Sequence, residues 1–220
     1  MEKELIKKLL GLIKFDDYRI STIYLSISSA RIFATSNIFN ENTYNEIKKT
    51  VIENGLNYQF LFSGILNYLI FLEQVGSLFT TSKKLHNKLI HMPDIYQTLS
   101  LYSNLDEESK IILYELRNSF AHRFGLATQN KKLKSYKFTL TNTKSDNANH
   151  DTITKALLQW DGDFSKKSDD YNTEINVKNF FLLCENIYSN IITEIENGNI
   201  KIKDNITIEE VLSRYTIIEN

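Results

Sequence analysis

Three side chains near the middle of the chain could together hold an anion and move a proton: Arg117, Asn118 and His122. Histidine, with an ordinary pKa of about 6.5, can take or give a proton near neutrality. Arginine can grip a phosphate through two parallel N–H···O bonds, and an asparagine one turn before the histidine can orient the ring or a phosphate oxygen. Opening a phosphodiester with a neighbouring 2′-hydroxyl asks for these roles. A base must take the hydroxyl proton, an acid must protonate the leaving 5′-oxygen, and a cation must stabilise charge on the phosphate. That route uses no metal ion.

These residues must be positioned by a helix. Ile112, Leu113, Leu116, Phe120 and Phe124 recur at helical spacing and predict one buried face. Successive residues turn by about 100°, which places Glu115, Asn118 and His122 on the opposite side, close to one line with Ile111, and Arg117 on the flank. Glu115 is the supporting carboxylate of this stripe. Asp106 can cap the start of the helix, and Gly125 suits a left-handed C-cap after it. Arg117 and His122 are about 140° apart around a straight helix, so their stems diverge. Two such helices across a two-fold axis would bring the polar residues of both chains into one cleft, with Ile111 at the contact.

The run Arg117-Asn118-Ser119-Phe120-Ala121-His122 resembles the signature of the HEPN superfamily: an Arg, a polar residue and, a few positions on, a His near the end of a helix. The resemblance implies a helical bundle that dimerises and cuts RNA without metal or other cofactor. It assigns His122 to acid/base work and Arg117, with Asn118, to the phosphate. It further implies a toxin or defence effector, with a cognate antitoxin or nucleotidyltransferase as a possible partner. The second class of function is a silent HEPN-like binding or regulatory module, and a third is an unrelated helical interaction protein. In either, Arg117 pairs with a carboxylate and His122 is a helix-end histidine.

The fold expected is mainly α, a HEPN-like bundle in one domain over 1–220: helical over 1–126, a β-hairpin over 133–160, and a long helix over 176–197. Leu5, Ile6, Leu9, Leu10 and Ile13 predict a helix over about 2–14. Ile20 to Ala34 repeats at three and four, with strand as the alternative. Asn42 or Thr43 could cap a segment ended by Asn54-Gly55. The longest helix is expected from Tyr58 to Phe79, with Leu61, Ile65, Leu69, Leu72 and Val75 inward. Residues 82–92 read as a short helix stopped by Pro93, and 94–105 as a connection. Tyr136, Phe138 and Leu140, then Ala156, Leu158 and Trp160, alternate as two antiparallel strands that should pack on the bundle. The stretch 161–173 reads as a mobile loop, Asn176 and Gly198 as the caps of the long helix, and Thr207-Ile208-Glu209-Glu210 as a capping box.

With 220 residues, 42% hydrophobic content and a formal net charge of −1, the chain can bury a core but does not coat nucleic acid through bulk charge. Local basic clusters remain: Lys83, Lys84 and Lys88, and, just after the motif, Lys131, Lys132 and Lys134 as candidate RNA contacts. The single Cys184 sits among Phe and Leu and reads as a buried hydrophobe in a reducing compartment. No signal peptide opens the chain, and the apolar run 60–79 carries Glu73 and Gln74, so a cytoplasmic protein without a membrane span is expected. His86 and His91 lack a ligand pattern, and Asp163, Asp169 and Asp170 lack EF-hand spacing. No phosphate-binding glycine loop or serine elbow occurs, which disfavours P-loop, kinase, dinucleotide and serine-hydrolase chemistry.

Overall fold

A computed structural model describes residues 2–34, 57–81, 91–123, 125–129, 134–141 and 151–218. The expected segment around 43–55, residues 82–90 and the loop 142–150 lie outside them. The chain is mainly α and divides into two compact units, residues 1–103 with 185–220, and residues 104–184.

In the first unit α1 (Glu2–Leu9) is shorter than the expected 2–14. Gly11 takes φ +74°, and the Gly11 and Leu12 amides donate back to Lys8 and Lys7 carbonyls at 3.1 and 2.9 Å, which closes the helix. The segment after Arg19 uses both readings: β1 (Arg19–Ser21) leads into α2 (Thr22–Ala34). Ser21 Oγ makes the transition, accepting from the Ile23 amide at 3.1 Å and donating to the Leu9 carbonyl at 2.6 Å. Helix α3 (Asn57–Leu78) buries Ile65, Leu69, Leu72 and Val75 and packs against α2 and α4 (Asp94–Tyr102).

Helix α4 corrects the expected connection. Pro93 opens a helix here, because its fixed φ and missing N–H suit a first turn, and Ile95, Tyr96, Leu99 and Tyr102 make its buried face. At Gly76 the backbones of α3 and α4 meet: a Cβ there would collide with the Asp94 carbonyl and lie 2.7 Å from Thr98 Oγ1. Thr98 Oγ1 in turn donates to the Leu72 carbonyl at 2.7 Å. Gln74 meets Ser26 and Thr22 on α2. Arg31 forms a two-point pair with Glu185 at 3.0 and 2.9 Å, with the Tyr68 hydroxyl donating to the same carboxylate.

Short ribbons complete this unit: β2 (Phe79–Thr81) pairs with β7 (Ile200–Ile202), and β1 with β8 (Thr216–Ile218), both antiparallel. Helix α7 (Ile208–Tyr215) starts as expected, with Thr207 Oγ1 accepting from the Glu210 amide at 3.2 Å. One window among the described residues, Leu61–Leu78 of α3, is long and apolar enough to cross a membrane by length and composition only; half of it is buried within the fold.

The second unit holds the motif helix, α5 (Glu107–Arg123), and a four-stranded sheet of order β3-β4-β6-β5. The strands are β3 (Ala127–Thr128), β4 (Tyr136–Thr141), β5 (Ile153–Thr154) and β6 (Asn172–Asn176). This overturns the 133–160 hairpin. Strand β4 exists, but it pairs in parallel with β6, Lys137 opposite Asn172 through Thr141 opposite Asn176, and antiparallel with β3.

Residues 156–160 form no strand. Leu157 and Leu158 are exposed, and Trp160 is buried by a local loop in which its Nε1 donates to the Asp163 carbonyl at 3.0 Å and Phe164 meets it edge-on. The expected loop 161–173 instead ends in β6, where Thr173 and Ile175 are buried and Glu174 is exposed. Tyr136 and Phe138 are buried as expected.

Helix α6 (Val177–Glu196) begins in this unit and ends in the other. Asn176 caps it through the Asn179 amide at 3.0 Å, and Gly198, at φ +72°, closes it with amide bonds from Gly198 to Ile195 and from Asn199 to Glu194. Cys184, the single cysteine, is buried, in line with its apolar setting.

Candidate functional site

Helix α5 starts at Asp106, whose Oδ1 accepts from the Ser109 amide at 2.7 Å. Leu113, Leu116 and Phe120 are fully buried, and Ile112 is 1% exposed, so these four stand on the buried face that their spacing predicts, while Phe124 lies outside the described residues. That burial fixes the rotation of the helix and leaves the motif side open. Ile111 and His122 are exposed, and Arg117 and Asn118 are half-buried.

Arg117 and His122 meet within one chain. Arg117 Nη1 lies 3.0 Å from His122 Nε2 and donates to Asn118 Oδ1 at 3.3 Å. About 140° apart by helix geometry, the two side chains nevertheless bring their tips together. Helical side chains lean toward the N-terminus, which brings the His122 ring down toward the earlier turn, and the long arginine stem spans the rest. Convergence of these two groups therefore needs no second chain.

Ser119, the spacer of the motif, has a positioning part that its sequence context conceals. It is fully buried, and its Oγ donates to the Gly125 carbonyl at 2.6 Å and approaches the Ala127 carbonyl at 3.2 Å. The Gly125 amide returns to the Ser119 carbonyl at 3.3 Å. The loop after α5 is thereby folded back onto the turn that carries His122. A small hydroxyl on the apolar side of the helix is the signal that could have marked it.

Glu115 does not belong to the exposed stripe. It is 3% exposed, and its Oε1 has no hydrogen-bond partner among the described residues. It lies about 40° further round than Ile111, enough to turn the carboxylate under the helix toward β4. Its charge is felt at Tyr136, whose hydroxyl is pushed above its ordinary range by burial first and then by Glu108 and Glu115.

Lys134 also stands apart from the motif. Its Nζ pairs with Glu108 Oε1 at 3.0 Å, and Lys155 joins Glu108 Oε2 at 3.0 Å and Asp106 Oδ2 at 3.1 Å. Glu108 precedes His122 by 14 positions, about 21 Å along the axis, so this cluster marks the other end of the helix. One adjoining cleft of about 200 Å³, lined by Lys134, Tyr136 and Trp160, falls below the usual size of a ligand pocket, about 300 Å³ or more, and another of about 620 Å³, lined by Asp106, Ser109 and Lys155, is within that range. Lys131, Lys132, Lys83, Lys84, Lys88 and His86 lie outside the described residues, and His91 is exposed. Among the described residues no three His, Cys, Asp or Glu side chains gather as a metal site.

The charged cluster at the start of α5 makes stability depend on pH. Asp106 is held below the ordinary carboxylate range by the Ser109 amide and then by Lys155, and Glu108 by Lys134 and Lys155. A depressed folded-state pKa contributes stability above the unfolded value, and that contribution is lost as pH falls through the folded value. Asp106 and Glu108 are 61% and 44% exposed, so solvent screening holds each contribution under about 1 kcal/mol. The urea midpoint of a D106N/E108Q variant is expected to fall below that of the native chain at pH 6, and the gap to close as pH drops below about 4.

No protein-family model, curated protein or solved structure matches the chain. An imidazole, a guanidinium and an amide oxygen are grouped at the open end of the helix, the first a type of group that can transfer a proton and the second one that can bind an anion.

Proposed function

We propose that the chain is a HEPN-like endoribonuclease of the cytoplasm, acting through Arg117, Asn118 and His122. The observation that carries the reading is the 3.0 Å approach of the Arg117 guanidinium to the His122 imidazole on an open helix end. His122 takes the proton of a 2′-hydroxyl, and the 2′-oxygen attacks phosphorus. The bond to the 5′-oxygen breaks, and that oxygen leaves with a proton from an acid. Arg117 holds the charged phosphate by two N–H···O bonds, and Asn118 Oδ1 steadies the guanidinium. The products are a 2′,3′-cyclic phosphate and a 5′-hydroxyl.

One chain offers one His122, and base and acid are both needed. A homodimer formed on α5 supplies the second imidazole, with exposed Ile111, two turns before Asn118 on the same face, as a self-complementary contact. Light scattering at micromolar concentration is expected to give twice the mass of one chain; a monomer there removes this part of the reading. A role as a toxin or defence effector, with an antitoxin or nucleotidyltransferase partner, belongs to the same proposal.

The deciding assay is incubation of purified protein with total RNA in the presence of a chelator. Cleavage ending in 2′,3′-cyclic phosphate supports the mechanism, and Arg117→Ala should abolish most of it by removing the phosphate ligand. Cleavage only with added divalent metal refutes it. The absence of cleavage in every condition favours the other reading, a silent HEPN-like binding or regulatory module, for which Arg117 held by its own chain is the supporting contact.

A further inference from the structure

We propose that Arg117 is a lock on His122 as well as a ligand for phosphate: it holds the ring as the Nδ1–H tautomer and covers Nε2 until a phosphodiester draws the guanidinium away. The inference rests on the ribonuclease reading for its substrate, but not for its chemistry in the free protein. A guanidinium has donors and no acceptor. Arg117 Nη1 stands 3.0 Å from His122 Nε2, so that nitrogen must present its lone pair and the ring proton must sit on Nδ1. The same Nη1 donates to Asn118 Oδ1 at 3.3 Å, which turns the guanidinium toward the ring.

Two consequences follow for the reaction. The atom that accepts the 2′-hydroxyl proton is Nε2, because it alone carries the lone pair. In the resting protein that lone pair already receives an N–H from Arg117, so a hydroxyl arriving by itself finds no free base. A phosphate changes the competition. It offers two anionic oxygens in the plane of the guanidinium, so that one bond to a neutral ring nitrogen is exchanged for two parallel bonds within an ion pair. Arg117 moves to the phosphate, and Nε2 opens next to the hydroxyl of the same nucleotide. The base is uncovered where a phosphodiester is bound and covered elsewhere. Asn118 is a positioning residue in this scheme, acting through Arg117.

The test reads the ring nitrogens directly. Protein labelled with ¹⁵N-histidine is studied by long-range ¹H–¹⁵N correlation, with the His122 signals assigned by their loss in His122→Gln. The free native chain is expected to show His122 as Nδ1–H. Arg117→Ala should shift the ratio toward the Nε2–H form that free histidine prefers, by roughly fivefold, the size a partly exposed hydrogen bond supports. Arg117→Lys, whose ammonium keeps a donor on a stem of similar length but not the two-point grip on phosphate, should keep the native tautomer and lose most of the cleavage. A 2′-O-methyl RNA oligonucleotide, which brings phosphates but no 2′-hydroxyl, should move the Nε2 resonance at saturation. Nε2–H in the free native chain, an unchanged ratio in Arg117→Ala, or an unmoved Nε2 in the saturated complex each overturns the lock. A native Nδ1–H ring that responds to Arg117→Ala in a protein that neither binds nor cuts RNA overturns the ribonuclease reading instead and leaves the tautomer assignment standing.

Discussion

His122→Ala is expected to lower RNA cleavage by about 10²–10⁴-fold, the usual contribution of a positioned proton-transfer group. Folding should be almost untouched. His122 is exposed near the end of α5, its ring meets the half-buried Arg117, and the buried face of the helix is carried by Ile112, Leu113, Leu116 and Phe120. A surface change of this kind stays within about 0.5 kcal/mol, which for a chain of this length is under roughly 2 °C in the thermal midpoint. The comparison that gives the result meaning is His91→Ala, an exposed histidine outside the motif, which should cut like the native chain. A folded His122→Ala protein with full activity would exclude the imidazole as acid or base.

Gly76→Ala should have the largest effect on stability. Alanine favours a helix interior over glycine by about 1 kcal/mol, so the exchange is ordinarily helpful in a helix such as α3. Here the added methyl group has nowhere to go. The Asp94 carbonyl already occupies that position, and backbone cannot swing aside as a side chain can. Separating α3 from α4 would also stretch the Thr98 bond to the Leu72 carbonyl. Overpacking against backbone costs about 3 kcal/mol, which outweighs the propensity gain and leaves a net loss of about 2 kcal/mol. The expected fall in thermal midpoint is roughly 4–8 °C, measured by circular dichroism. A midpoint at or above the native value would show that the two helices can part without strain.

Helices α3, α5, α6 and α7 were legible because each carries an apolar period, a capping residue or both, whereas α4 was read as a connection. Helix α3 has an apolar stripe over 22 residues, and α5, α6 and α7 have an Asp, Asn or Thr at the start. The sheet was not legible, for a physical reason. Alternation reports that one face of an extended segment is buried but says nothing of its partner or direction. Tyr136 to Leu140 was read correctly as strand, while the same alternation at 156–160 reflects a loop pinned by Trp160. The true partner, Asn172–Asn176, lay in a polar run whose inward residues are Thr173 and Ile175. At the site, the helix wheel gave the right face and misplaced the extremes. Glu115 sits 40° from the exposed line by the geometry of about 100° per residue, and that small angle decides between water and the sheet. Arg117 and His122 meet because side-chain length and lean, which a wheel ignores, span the remaining gap.

The pairing of β1 with β8 has a consequence for the order in which this protein can fold during synthesis. Ser21 lies opposite Thr216, so the first unit recruits strands from both ends of the sequence. The second unit is continuous from 104 to 184. A growing chain emerges at about 5–20 residues per second, and domains generally form as units when their last residue is free. The segment bearing Arg117 and His122 is therefore complete while β7, α7 and β8 are still to be made, and the unit that begins first is the one that finishes last.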